Sequence, residues 1–231
     1  MEILKNLTGS YVNVATIVIG SLVGLLLKKG LPIRFKDNIM SAMALCVFLI
    51  GVSGLGTVNN IIVVILSLAI GTAIGTLLKL DDRINLVGEK LSSKFGKSQV
   101  GEGFCTATLL YVIGAMAVVG SLNSGMNGDY STLYSKALID GITAIVLTSG
   151  YGIGVMLSAI PVFLYQGIIT VFAVLLAPVL STVVINEMSA VGSLLIVAIS
   201  LNMLKITKIK VMDLLPSIFI PIIMYLLPFV K

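Results

Sequence analysis

The feature that most restricts this chain is a succession of long apolar runs with little polar sequence between them. At about 20 residues per membrane crossing, the runs fall at 11–27, 38–55, 59–78, 104–122, 133–158, 160–180, 189–204 and 214–230. Hydrophobic residues make up 58% of the 231 residues and charged residues 11%, with a mean hydropathy of +1.13. A water-soluble domain needs far more polar surface to clothe its core. The expected fold class is therefore all-α, a polytopic transmembrane helix bundle of about eight spans forming a single domain over 1–231.

The connections set an expected topology. Basic residues cluster after the first run (Lys28, Lys29, Arg34, Lys36), after the third (Arg83, Lys90, Lys94) and after the seventh (Lys205, Lys208, Lys210). Alternate connections hold no such cluster, so the positive-inside rule puts the basic loops in the cytoplasm and both termini outside. Within the 81–103 connector, Ile84, Val87, Leu91 and Phe95 recur at helical spacing, which suggests an amphipathic helix at the cytoplasmic interface, with a simple solvated connector as the alternative. The first run resembles a signal peptide in position, but its leading segment is weakly charged and no small-residue cleavage site follows; a retained helix is expected.

Two stretches repeat. IGSLVGLLLK at 19–28 and IGTAIGTLLK at 70–79 share GxxxG spacing through Gly20/Gly24 and Gly71/Gly75, and each has an arginine downstream. Small residues at this spacing let helix backbones approach closely. The match predicts an internal duplication of helical hairpins. Whether these faces pack within the chain or against a second copy is open at this level.

Several chemistries are excluded. There is no histidine, so histidine-ligated metals, histidine triads and imidazole proton relays are absent. Cys46 and Cys105 lie in apolar runs and are expected to be buried free thiols. No metal site, cofactor motif, nucleotide-binding loop or nucleophile–base pair is present, so no enzyme activity is expected. The formal charge of +5 is accounted for by the loops, with membrane lipid rather than nucleic acid as the partner.

The stretches GEGFCTATLLYVIGAMAVVGSLNSGMNGDYSTLYSKALIDG and GYGIGVMLSAIPVFLYQG, with the tail SLNMLKITKIKVMDLLPSIFIP, resemble the YqgA/YdfK family of bacterial inner-membrane proteins, a domain of unknown function. The resemblance covers essentially the whole chain. It implies a multi-pass protein of the bacterial inner membrane, expected to be a transporter of unassigned substrate. It supplies no site residues.

The polar positions concentrate in the fifth run. At about 100° per residue, Lys136, Asp140, Thr143, Tyr151, Gly154 and Ser158 fall in one sector, a stripe roughly 30 Å long. Such a stripe could line a solute or ion path, since charges within apolar spans face wet or protein-lined interiors. The plainer alternative is an i,i+4 pair of Lys136 and Asp140 near an interface, with the hydroxyls bonding locally. Gly150, Gly152 and Gly154 either break the helix and expose carbonyls to a substrate or allow a close helix crossing. Gln166, Asn13 and Asn202 are isolated amides expected to bond between helices, with Gln166 and Asn202 as further path candidates. Two function classes follow: a secondary transporter or channel for a small ion or polar solute, or a structural or regulatory membrane protein acting through helix and lipid contacts.

Overall fold

A computed structural model describes residues 5–28, 33–95 and 100–226. Among these residues there is no strand; the chain is a series of helices. In order they are α1 (Thr8–Lys28), α2 (Ile33–Gly54), a 3-10 turn (Leu55–Thr57), α3 (Ile61–Leu77), α4 (Leu80–Phe95), α5 (Val100–Val112), α6 (Ala115–Asn127) and α7 (Ser131–Tyr151). Then come the single turn α8 (Gly154–Leu157), α9 (Ala159–Val171), α10 (Ala173–Leu176), α11 (Thr182–Met203), a 3-10 helix (Val211–Phe219) and α12 (Ile220–Leu226).

Among the described residues, four helices are long and apolar enough to cross a membrane: Thr8–Leu27, Met40–Thr57, Gly154–Val171 and Thr182–Met203. The pair α5 and α6 would make a fifth if counted as one span bent by 61°. Ile61–Leu77 and Val211–Leu226 are apolar but shorter. The expected spans differ from these helices where backbone chemistry intervenes. Run 104–122 is interrupted because Gly114 takes a φ of 125°, a conformation open to glycine and closed to most side chains. Run 133–158 stops at Tyr151, where Gly152 takes a φ of 85°. Run 160–180 is divided between α9 and α10.

The last run opens as a 3-10 helix containing Pro216, which has no N–H to give to a helical ladder. Pro221 sits in the first turn of α12, where that loss matters least. Part of the basic turn after the first run (29–32), part of the 81–103 connector (96–99) and the end of the last run lie outside the described residues.

Helix ends follow from local chemistry. Asn60 precedes α3 and accepts from the N–H of Ile62 at 3.0 Å, while Ser181 accepts from Val184 at 3.4 Å and starts α11. The apolar run expected at 189–204 has its helix begin earlier than its hydropathy does. The serine cap starts the helix at Thr182, so that Glu187 stands within it. After α3 and α11 the chain turns through Lys79 (φ 51°) and Lys205 (φ 60°), both left-handed.

The chain divides into two compact units. The first comprises Met1–Met43, Leu86–Val112 and Met116–Leu176; the second comprises Ala44–Asn85, Ile113–Ala115 and Ala177–Lys231. In the first, α1 lies against α7 with their backbones nearly touching. A Cβ on Gly20 would overlap the carbonyl of Gly141, and one on Gly24 the carbonyl of Ile145. Residue numbers climb together along this contact, so the two helices run parallel. In the second unit, Gly71 meets the backbone of Ser217 and Gly75 the carbonyl of Asp213. Here the numbers run oppositely, and the partners are antiparallel. Both repeated glycine pairs therefore sit on backbone, with opposite chain polarity.

Many large apolar side chains remain exposed, among them Leu26 of α1, Leu49 of α2, Ile61 of α3 and Ile142 of α7. Cys46 belongs to this surface and Cys105 is half-buried, contrary to the expectation of two buried thiols; neither is in a disulfide. Among the described residues no cluster of potential ligands could hold a metal ion.

Candidate functional site: a buried ion pair in the first unit

The polar centre of the first unit is built on α7. Lys136 and Asp140, one turn apart, are 6% and 4% exposed, so the pair is interior to the chain rather than snorkelling at its edge. Lys136 Nζ donates to both carboxylate oxygens of Asp140, at 2.9 and 2.6 Å. Across the glycine contact, Asn13 of α1 donates its Nδ2 to Asp140 Oδ2 at 3.0 Å. The same Nζ stands 6.0 Å from the ring centroid of Tyr111 on α5, within cation–π range. Three helices thus meet around one ion pair. The close approach that Gly20, Gly24 and Gly141 permit between α1 and α7 is what brings Asn13 within reach.

Within the same unit several polar atoms are buried without a hydrogen-bond partner. The amide of Gln166 on α9 is fully buried and bonds through neither its oxygen nor its nitrogen. Asn13 Oδ1, Ser10 Oγ and Tyr111 Oη are likewise unpartnered. Buried polar groups are normally satisfied, and a set of orphaned ones in a unit that packs α1, α5, α7 and α9 together asks for a polar occupant, water or solute.

The remaining residues of the expected stripe divide. Thr143 donates back to the carbonyl of Ile139 at 2.8 Å, one turn earlier, which is local helix bonding. Tyr151, the last residue of α7, is buried with its ring against Gly103, and its hydroxyl lies 3.4 Å from Glu102 Oε1. Gly154 and Ser158 fall beyond the break at Gly152, so the helical wheel that joined them to Lys136 does not continue that far. Ser158 is fully buried and donates to the carbonyl of Val155 at 2.6 Å. Of the three glycines, Gly152 ends the helix, Gly154 abuts the carbonyl of Val100, and a Cβ on Gly150 would meet the side chain of Met40. Breaking and close crossing both occur, at different glycines.

Asn202 is not part of this centre. It belongs to the second unit, where Oδ1 accepts from Thr207 Oγ1 at 2.7 Å and from the N–H of Ile209 at 2.9 Å, while Nδ2 donates to the Ile209 carbonyl at 2.8 Å. Its amide folds the loop after α11. Two further buried residues, one in each unit, were not singled out by the sequence. Tyr111 flanks the lysine, and no linear signal points to it. Glu187 is a second fully buried acid, and the serine cap at Ser181 was the signal that placed it inside a helix.

A family model described as a protein of unknown function, DUF554, matches residues 8–226. The chain is 37% identical over 217 residues to the uncharacterized membrane protein YdfK of Bacillus subtilis, covering 92% of this chain and 93% of that one. It is 26% identical over 219 residues to the uncharacterized protein YqgA of Escherichia coli, with coverage of 92% and 93%. No solved structure matches the chain.

Proposed function

The chain belongs to the DUF554 family, and from that premise we propose that it is a secondary transporter or channel for a small ion or polar solute in the bacterial inner membrane. The observation that carries this reading is the Lys136–Asp140–Asn13 centre, a buried ion pair in a chain that exposes many large apolar side chains, in a unit that also buries the wholly unpartnered amide of Gln166. Ionisable groups within apolar spans are costly and are candidates for solute or proton paths. In this reading Asp140 and Lys136 form a charge gate. A solute bearing a hydrogen-bond donor and acceptor would engage Gln166, and opening requires the pair to separate or rotate.

The same reading takes α3, α7 and Val211–Leu226 as further crossings beside the four long apolar helices and the bent pair, for about eight in all. It takes both termini as outside, α4 as an interfacial helix and the repeated glycine hairpins as a duplication. A relative named as a membrane protein supports the setting.

A structural or regulatory role is the second reading, favoured by one observation: both oxygens of Asp140 are already engaged within the chain. Purified protein in liposomes, challenged with a panel of ions and polar solutes, separates the two. Flux that is lost in Asp140→Asn supports the gate. No flux with any solute, together with a stoichiometric co-purifying protein, supports the second role.

A further inference from the structure

Glu187 stands in α11, a little over a turn and a half after its cap at Ser181, and is 0% exposed. Its Oε1 accepts from two backbone N–H groups of the turn before α3, Asn59 at 3.1 Å and Asn60 at 2.6 Å. Its Oε2 is equally buried and has no hydrogen-bond partner. Neither ion pair found among the described residues includes it.

Among the described residues, the helices and turns packed on α11 supply no positive charge to this site; the basic residues of α2, Arg34 and Lys36, lie at the end of that helix away from its Gly51 and Gly54 contacts with α11. Leu55–Thr57 and α3 contain no charged residue. On the 3-10 helix, Asp213 is occupied with the N–H of Asp81, beyond the far end of α3. On α12, the phenol of Tyr225 lies within electrostatic range of Glu187 and adds no cation. Capping two N–H groups takes one oxygen, which a neutral amide could provide. The acid adds a second oxygen and a negative charge, each unfavourable to bury without a counterpart. Asp140 contrasts with it, because that acid holds Lys136 as an internal counter-charge.

We propose that Glu187 Oε2 is the binding atom for a monovalent cation, a proton or an alkali ion. A buried carboxylate oxygen is a ligand of the kind a hard cation takes. Immediately beside Glu187, the carbonyl of Asn186 accepts from Thr57 Oγ1 at 3.1 Å, and that hydroxyl also reaches the carbonyl of Gly54 at 2.8 Å. Binding stands on this geometry alone; that the bound cation drives solute movement rests on the transport reading above.

A ligand that binds only the folded state raises its melting temperature by mass action. Purified full-length protein in nanodiscs is melted in sodium, potassium, lithium or choline chloride at constant ionic strength, and across a pH series in choline. The wild type is expected to melt higher with one alkali ion, or at lower pH if the cation is a proton. Glu187→Gln keeps the Oε1 acceptor and is expected to lose that upward shift. A wild type indifferent to every cation and to pH overturns the proposal, as does a Glu187→Gln variant that responds like the wild type.

Should that variant fail to fold, infrared difference spectra of the wild type decide instead. Exchange of choline for sodium, or a pH change, must alter a buried carboxyl band that shifts in Glu187→Asp, and no such change overturns the site. Flux in liposomes is scored separately. A cation-dependent melt without flux removes only the transport reading, and flux without a cation-dependent melt removes only this site.

Discussion

Asn13 and Asp140, 127 positions apart in sequence, meet at 3.0 Å across the contact between α1 and α7, and the carboxylate that receives Asn13 also holds Lys136. This cross-helix bond makes the ion pair part of the packing of the first unit. Removing one member leaves a buried charge unmatched, at a cost of about 3–5 kcal/mol, whereas replacing both with apolar side chains of similar size can be neutral. Melting of Lys136→Met, Asp140→Leu and the double variant in detergent is expected to show large losses for each single change and a smaller one for the pair. Flux, where it is measured, should stay lost in the double variant.

The glycine contacts give a sharper test because a neutral comparison exists. Gly20→Ala and Gly24→Ala would push a methyl into the carbonyls of Gly141 and Ile145 and should cost about 1–3 kcal/mol as overpacking. Gly56→Ala meets nothing within 4 Å and should melt like the wild type. Equal melting temperatures for all three would contradict the backbone contact.

At Gly152 the demand is conformational. Its φ of 85° and ψ of −152° lie where an L side chain is strained by about 1–3 kcal/mol. Gly152→Ala should therefore lower the melting temperature through backbone strain, and cysteine accessibility across 150–158 should change with it.

Lys205 offers the reverse experiment. A lysine at φ 60° is strained by about 1–2 kcal/mol relative to an ordinary helical conformation, and glycine is not. Lys205→Gly should raise the melting temperature, while Lys208 and Lys210 keep the basic character of the loop.

Asp129 sets a pH dependence at the start of α7. It accepts from the N–H of Ser131 at 2.9 Å, and this bond, with the Ser131 hydroxyl, holds its carboxyl below the usual carboxylate range. A folded value below the unfolded one means the contribution is present above the unfolded value, about 3.9, and is lost as pH falls through the folded value. Hydrogen exchange at Ser131 should accelerate, relative to its intrinsic rate, only in that acidic window, and Asp129→Ala should remove the difference.

How much of this was legible beforehand depended on whether a feature is local. The all-helical character followed from long apolar runs, and the glycine pairs announced a close backbone contact. The breaks at Gly114 and Gly152 were written in residues that a sequence reading takes equally well as packing glycines, because glycine serves both purposes and only the φ angle separates them. The pairing of Asn13 with Asp140 depends on which helices become neighbours, which no period in the sequence encodes. Glu187 lies between two apolar runs in the sequence, and only the cap at Ser181 brings it inside a helix.

The glycine contacts also bear on how freely the chain can drift in sequence. Gly24 rests on the carbonyl of Ile145, and Gly75 on that of Asp213. A carbonyl is common to all residues, so these contacts constrain the glycine-bearing helix tightly and scarcely constrain the side chain across from it. Ile145→Val or Ile145→Leu should leave the α1–α7 contact intact, where Gly24→Ala does not. The partner stretch is thereby released to vary for other purposes, and this holds equally for the parallel contact in the first unit and the antiparallel one in the second.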